Sequence, residues 1–147
     1  SWRNNNLSVY KAFEHQHLKE IRESLTSLQA TLDTDMLFIP QRGNFTRGIY
    51  ASVYLKSDLS LKEATALYEA YYQSHPFVTI SQTEIDLKQV VNTNRCFLHL
   101  AKHNGQLLIT SIIDNLLKGA VGQAVQNMNL IFGLEEKTGL QLKPSAF

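Results

Sequence analysis

Three groups of residues in this 147-residue sequence have types and spacings suited to chemistry. The first is His15-Gln16-His17 with Glu20 close behind. Two imidazoles at i and i+2 point the same way only in extended backbone, and just ahead of a helix they offer a proton-transfer pair near neutral pH. The same residues also read as an exposed polar lead-in to a helix. A metal site gains no support, because no third ligand accompanies the pair and neither Glu20 nor the single cysteine, Cys96, completes a zinc pattern.

The second group is Thr46-Arg47-Gly48. A guanidinium there can grip a phosphate or carboxylate with two prongs, and a following glycine lets the anion approach the backbone. An ordinary surface arginine fits those three residues equally. The third group begins at Asp114-Asn115 and continues through Gly119, Gly122, Gln123, Gln126, Asn127 and Asn129. Asp114 is placed to cap a helix, which leaves the Asn115 amide at the positive end, able to bond a carboxamide or an anion. The plain alternative is a cap with glycines that serve packing. So many amides on one helix suggest a second surface that meets another domain.

Positioning these groups falls to a small set of elements. A short strand is expected over residues 9–13, then a helix whose Leu18, Ile21, Leu25, Leu28 and Leu32 form one apolar face. His17 sits just ahead of it, and Glu20 is placed like the returning acid of a capping box. Met36-Leu37-Phe38-Ile39, stopped by Pro40, and the alternating run Ile49, Ala51, Val53, Leu55 read as two strands joined by a loop over residues 41–48. Ser60-Leu61-Lys62-Glu63 is a capping box opening a second helix that His75-Pro76 stops, and a short strand follows over residues 77–80.

Asn104-Gly105 marks a tight hairpin, which sets His103 against Gln106, His99 against Thr110 and Cys96 against Ile113. A last helix is expected over residues 115–132, with Leu117, Val121, Ala124, Met128 and Ile131 on one face and Gly133 as its cap. Gly119 and Gly122 each cost roughly 1 kcal/mol against alanine inside a helix, so close approach of other groups is expected there. The pattern predicts an α+β domain: a mixed or antiparallel sheet with helices on one face.

Composition narrows the function classes. With 44% hydrophobic residues, 18% charged residues and a formal net charge of +1, the chain has the make-up of an ordinary globular domain. Its 14 Lys and Arg against 13 Asp and Glu form no basic stripe, so a nucleic-acid partner is not expected. No apolar run approaches the roughly 18 residues of a membrane span, and a lone cysteine suits a reducing compartment, so a cytoplasmic location is expected. A chain that opens on Ser1-Trp2 without an initiator methionine reads as a processed or excised piece of a larger protein.

The stretch Ile112-Ile113-Asp114-Asn115-Leu116-Leu117-Lys118-Gly119-Ala120-Val121-Gly122-Gln123-Ala124-Val125-Gln126-Asn127-Met128-Asn129-Leu130, with Phe132-Gly133-Leu134 after it, resembles the C-terminal signature of N-acetyl-gamma-glutamyl-phosphate reductases. His15-x-His17 with Glu20-Ile21, Pro40 ahead of Thr46-Arg47-Gly48-Ile49, and Asn94-x-Cys96 resemble further segments of that family in the same order. Gln16, Lys19, Gln41 and Asn44 depart from the family's usual residues, which leaves the acyl group open among acetyl, succinyl and others. The same motifs could also serve the sister enzyme that acts on an aminoadipyl phosphate.

The resemblance implies a glyceraldehyde-3-phosphate dehydrogenase-like C-terminal domain, with residues 1–113 as the catalytic and oligomerisation domain. It implies that residues 114–147 are a C-terminal helix and tail that dock on a Rossmann domain outside this chain. By the same resemblance His15 and His17 are catalytic, Glu20 and Arg47 bind substrate, and Asn115 meets the nicotinamide of NADP. The histidines and the arginine would converge on an acyl phosphate delivered by the neighbouring domain. The implied reaction is the NADP-dependent reduction of an N-acyl-gamma-glutamyl phosphate to its semialdehyde in arginine biosynthesis, by a homo-oligomer. None of the seven glycines forms a G-x-G-x-x-G turn, and the family's nucleophilic cysteine precedes the matched region, so this piece alone is expected to bind cofactor feebly and to be inactive. Cys96 is then a packing residue. The rival expectation is a non-catalytic binding or oligomerisation module with the same fold.

Overall fold

The computed structural model describes residues 4–144. The expected boundary at Ser1 and the end of the expected tail, residues 145–147, lie outside the described residues. The chain divides into two compact units, Ser1–Thr46 and Arg47–Phe147.

In the first unit, β1 (Ser8–Val9) pairs antiparallel with β2 (Gln41–Arg42), Ser8 opposite Arg42. The strand expected over residues 9–13 stops early because Lys11 and Phe13 take left-handed φ of 45° and 63°. Chain reversal there turns the amides of Tyr10 and Phe13 toward the carbonyls of Pro40 and Phe38, at 3.1 and 3.0 Å. Those bonds hold residues 36–40 without making them the expected strand, and the expected loop opens instead as β2. Helix α1 (Gln16–Leu28) starts one residue after His15 and ends before Leu32. Its cap is therefore His15 rather than His17, and Glu20 does not return to the cap. An imidazole lone pair satisfies a first-turn amide as an asparagine oxygen does, so the helix begins earlier than the apolar spacing indicates.

The second unit holds β3 (Ile49–Lys56), α2 (Leu61–Tyr72), β4 (Val78–Ser81), β5 (Cys96–His103), β6 (Gln106–Ile113) and α3 (Gly122–Ile131). The strands form one mixed sheet in the order β3-β6-β5-β4, antiparallel except for the β4–β5 pair. The hairpin turns at Asn104 and Gly105 with φ of 46° and 77°, and its register sets His103 against Gln106, His99 against Thr110 and Cys96 against Ile113, as the Asn-Gly turn requires. Helix α2 opens on the expected capping box. Ser60 N donates to Glu63 Oε2 at 2.7 Å, and Glu63 N donates to Ser60 Oγ at 3.2 Å.

Strand alternation gives the sheet two apolar faces. Ala64 of α2 packs with Leu100 and Leu107 on one, while Ile85 and Val90, from the segment between β4 and β5, pack with Ile112 on the other. Burying these aliphatic side chains stabilises the fold by about 1.5–3 kcal/mol for each of the larger ones. The architecture is α+β.

The expected last helix is split. Residues Leu117–Val121 form a π-helical turn, with Gly119 N bonded to the carbonyl of Asp114 at 2.9 Å and Val121 N to that of Leu116 at 3.1 Å. Gly122 then opens α3, and Gly133 follows the helix with φ of 66°. Two buried asparagines tie down the tail. Asn129 Nδ2 donates to the carbonyls of Glu136 and Thr138, at 3.2 and 3.0 Å, and Asn94 Nδ2 donates to that of Leu140 at 2.9 Å.

Candidate functional site

His15 caps α1 from extended backbone, and its Nδ1 accepts the amide of His17 at 3.2 Å. With Nδ1 acting as acceptor, a neutral His15 carries its proton on Nε2, so the cap bond selects the tautomer. The two rings meet edge to face with centroids 4.5 Å apart. They come together because one residue caps the helix and the other starts it, not through two neighbouring extended residues as the spacing predicts. Phe38 and Tyr10 flank His15 at 5.6 Å each, and the Arg42 guanidinium lies 4.1 Å over the Tyr10 ring. Glu20 Oε2 reaches His17 Nε2 at 4.0 Å, a long and largely exposed pairing of little energetic weight. The first unit thus gathers His15, His17 and Glu20 into an imidazole pair with a carboxylate beside it.

The second unit builds another cluster from residues far apart in sequence. Arg47 Nη2 donates to Asp114 Oδ1 at 3.1 Å, and Arg47 Nη1 donates to Asn92 Oδ1 at 2.5 Å. Asp114 is fully buried, and it also accepts from the amides of Leu116, Leu117 and Asn92 at 2.8, 2.9 and 2.8 Å. Burial pushes its carboxyl up, but the Asn92, Leu117 and Leu116 amides and the Arg47 guanidinium together outweigh that and leave it below the usual aspartate value. The next residue, Asn115, accepts the Gly48 amide on Oδ1 at 2.7 Å. That bond fixes which way its carboxamide points and leaves Nδ2 as the donor, with no hydrogen bond to any described residue. Gly48 adopts φ of 114°, and a Cβ there would fall 2.8 Å from Leu87 Cδ2. Its amide and α-carbon are thus engaged within the unit rather than bared to an anion.

Sequence reasoning placed Arg47, Asp114 and Asn115 but missed Asn92. Its left-handed φ of 63° suits a turn asparagine, but no local signal ties it to a carboxylate 22 residues on. Two amides of the last helix bond within the chain. Lys118 Nζ donates to Gln123 and Gln126, at 2.8 and 2.6 Å, and Gln126 continues to Glu136 at 2.6 Å. That helix leaves the apolar Val121, Ala124, Met128, Leu130 and Ile131 exposed, with the amide of Asn127 among them.

Cys96 Sγ lies 3.7 Å from Ser111 Oγ in a partly buried site, and burial pushes the thiol up, against the thiolate that a nucleophile needs. Among the described residues no cluster of three His, Cys, Asp or Glu side chains is arranged to hold a metal ion, and no helix is long and apolar enough to cross a membrane.

A family model for the semialdehyde dehydrogenase dimerisation domain matches residues 1–115. The chain belongs to this family. Over all 147 residues it is 62% identical to an N-acetyl-gamma-glutamyl-phosphate reductase of Flavobacterium johnsoniae, of which it covers 45%. It is 61% identical to the protein of that name from Bacteroides fragilis, covering 46%, and 62% identical to that of Azobacteroides pseudotrichonymphae, covering 45%. The chain spans about half the length of the curated relatives it matches. The semialdehyde dehydrogenase match includes His15, His17, Glu20, Arg47 and Asn115, while the similarity to the reductases continues through α3 and the tail.

Proposed function

We propose that this dimerisation-domain chain is the substrate-handling part of an N-acyl-gamma-glutamyl-phosphate reductase of arginine biosynthesis. The observation that carries this reading is the 62% identity to a reductase of that name across the whole chain. In it, the acyl phosphate is reduced to an aldehyde and phosphate departs. The imidazole pair, His15 and His17, moves the proton at the reacting carbonyl oxygen, and Glu20 beside His17 takes part in holding substrate. Arg47 holds the phosphate with the second N–H of each terminal nitrogen, left over from the bonds to Asn92 and Asp114, while its Nε is buried.

The cofactor in this reading is NADP, which supplies the hydride when bound. Asn115 fits its carboxamide, because the Gly48 bond fixes the side-chain oxygen and leaves Nδ2 to donate to a carbonyl. A Rossmann domain elsewhere in the complete protein carries the rest of the dinucleotide, and the exposed apolar residues of α3 dock against that domain. A second copy covers β3, an outermost strand whose Tyr50 and Tyr54 are at least half exposed on one sheet face. The enzyme works in the cytoplasm on a small-molecule substrate, with neither nucleic acid nor membrane as partner.

The test is an assay of the complete protein with N-acetyl-, N-succinyl- and aminoadipyl phosphates and NADPH. Turnover of a glutamyl phosphate is the expected result. No oxidation of NADPH with any of the three would leave the non-catalytic oligomerisation module as the better reading.

A further inference from the structure

We propose that Asp114 is a positioning residue, which holds the Arg47 guanidinium and the Asn115 carboxamide in a fixed relation to each other. The inference rests on the roles given to Arg47 and Asn115 above and adds the group that sets their geometry. A helix cap needs only the amides of Leu116 and Leu117. Asp114 accepts those, and it also takes Arg47 Nη2 on Oδ1 and the Asn92 amide on Oδ2. Asn92 in turn holds Arg47 Nη1. The three residues close a ring of hydrogen bonds in which both terminal nitrogens of the guanidinium are held, directly or at one remove, by a single buried carboxylate.

The neighbours on either side repeat the link, because the amide of Gly48 donates to the side chain of Asn115. Residues 47 and 48 are therefore stitched to residues 114 and 115 one for one, across 67 positions of sequence. The Arg47 side chain retains 28% exposure while Asp114 has none, so the arginine presents a surface whose orientation is fixed from beneath. An arginine so fixed meets an anion without first losing the rotamer freedom of a loose one. Its charge is partly balanced by Asp114, which suits a group that must release phosphate as well as bind it.

The experiment is a double-variant cycle in the complete reductase. Asp114→Asn keeps an acceptor for the helix amides but loses the charge that holds Arg47. It is expected to lower kcat/KM for the acyl phosphate about tenfold or more while the thermal midpoint shows a folded protein. Combined with Arg47→Lys it should be no worse than Arg47→Lys alone, because both changes remove the same positioned guanidinium. Should Asp114→Asn fail to fold, Asn92→Gly tests the other tether, since glycine tolerates the left-handed backbone there and takes away the acceptor for Nη1. Normal kinetics in a folded variant, or costs that simply add in the double variant, would overturn the proposal.

Wild-type protein that reduces none of the acyl phosphates would instead sink the proposed function. In that event the nitrogen-15 spectrum of the Arg47 guanidinium still decides whether Asp114 holds it. Slow rotation about its Cζ–N bonds that persists in Asp114→Asn refutes the tether, and rotation that speeds up supports it.

Discussion

Asn94 Oδ1 occupies the space that a methyl group on residue 122 would need: an ideal Cβ built on Gly122 falls 1.7 Å from it and 2.9 Å from the carbonyl of Leu117. The same asparagine holds the tail through Leu140, so it cannot swing away without releasing a buried bond. Gly122→Ala is therefore expected to destabilise the chain by about 1–3 kcal/mol, as overpacking does. At Gly119 the nearest atoms to such a Cβ lie 3.5 Å away, an ordinary contact, so Gly119→Ala is expected to be neutral or stabilising. Urea unfolding of the two variants checks this, and similar midpoints would refute the close approach at Gly122.

His15 has a structural task and a proposed chemical one, and they are separable. Asparagine caps a helix at least as well as an imidazole but transfers no proton. In the complete protein, His15→Asn should leave helix content and thermal midpoint unchanged while turnover falls by about a hundredfold or more. Near-normal turnover would remove His15 from the mechanism.

The capping box of α2 gives a prediction about pH. Glu63 is held below the usual glutamate value by its bonds to Ser60, so its ionised form is favoured in the folded state. A folded value below the unfolded one means that the contribution is fully present above the ordinary glutamate range and is lost as pH falls through the lowered value. Ser60→Ala should cost about 1 kcal/mol near neutral pH, and the gap to wild type should narrow in acid. A gap that is constant from neutral to strongly acidic pH would refute the reciprocal bond.

Cys96 should react slowly with iodoacetamide at neutral pH, because burial favours its thiol form, and faster only as pH rises past the ordinary cysteine value. Cys96→Ser should leave turnover of the complete protein nearly unchanged. A large loss of turnover would give the residue more than a packing role.

If a second copy covers β3, a charge placed on its open face has to be buried unpaired. Tyr54, 70% exposed in the single chain, is the natural position. Tyr54→Asp is expected to weaken self-association of the complete protein by about tenfold or more, read by sedimentation equilibrium. Unchanged association would place the interface elsewhere.

What the sequence determined by itself was local. The Ser60–Glu63 box, the Asn104-Gly105 turn with the whole β5–β6 register behind it, the cap at Asp114 and the glycine after α3 follow from short-range backbone chemistry, in which a few neighbouring residues settle the outcome. The family signature was legible for the same reason, as it lies in one unbroken stretch. Tertiary structure decided which distant groups share a hydrogen bond. Arg47 reaches Asp114 because β3 and β6 pair at their ends, Ile49 against Ile113, and Asn92 reaches it because β5 and β6 pair there too, Cys96 against Ile113. The early start of α1 is local as well, but apolar spacing marks only which face of a helix is apolar and says nothing of an imidazole that supplies the missing acceptor two residues sooner.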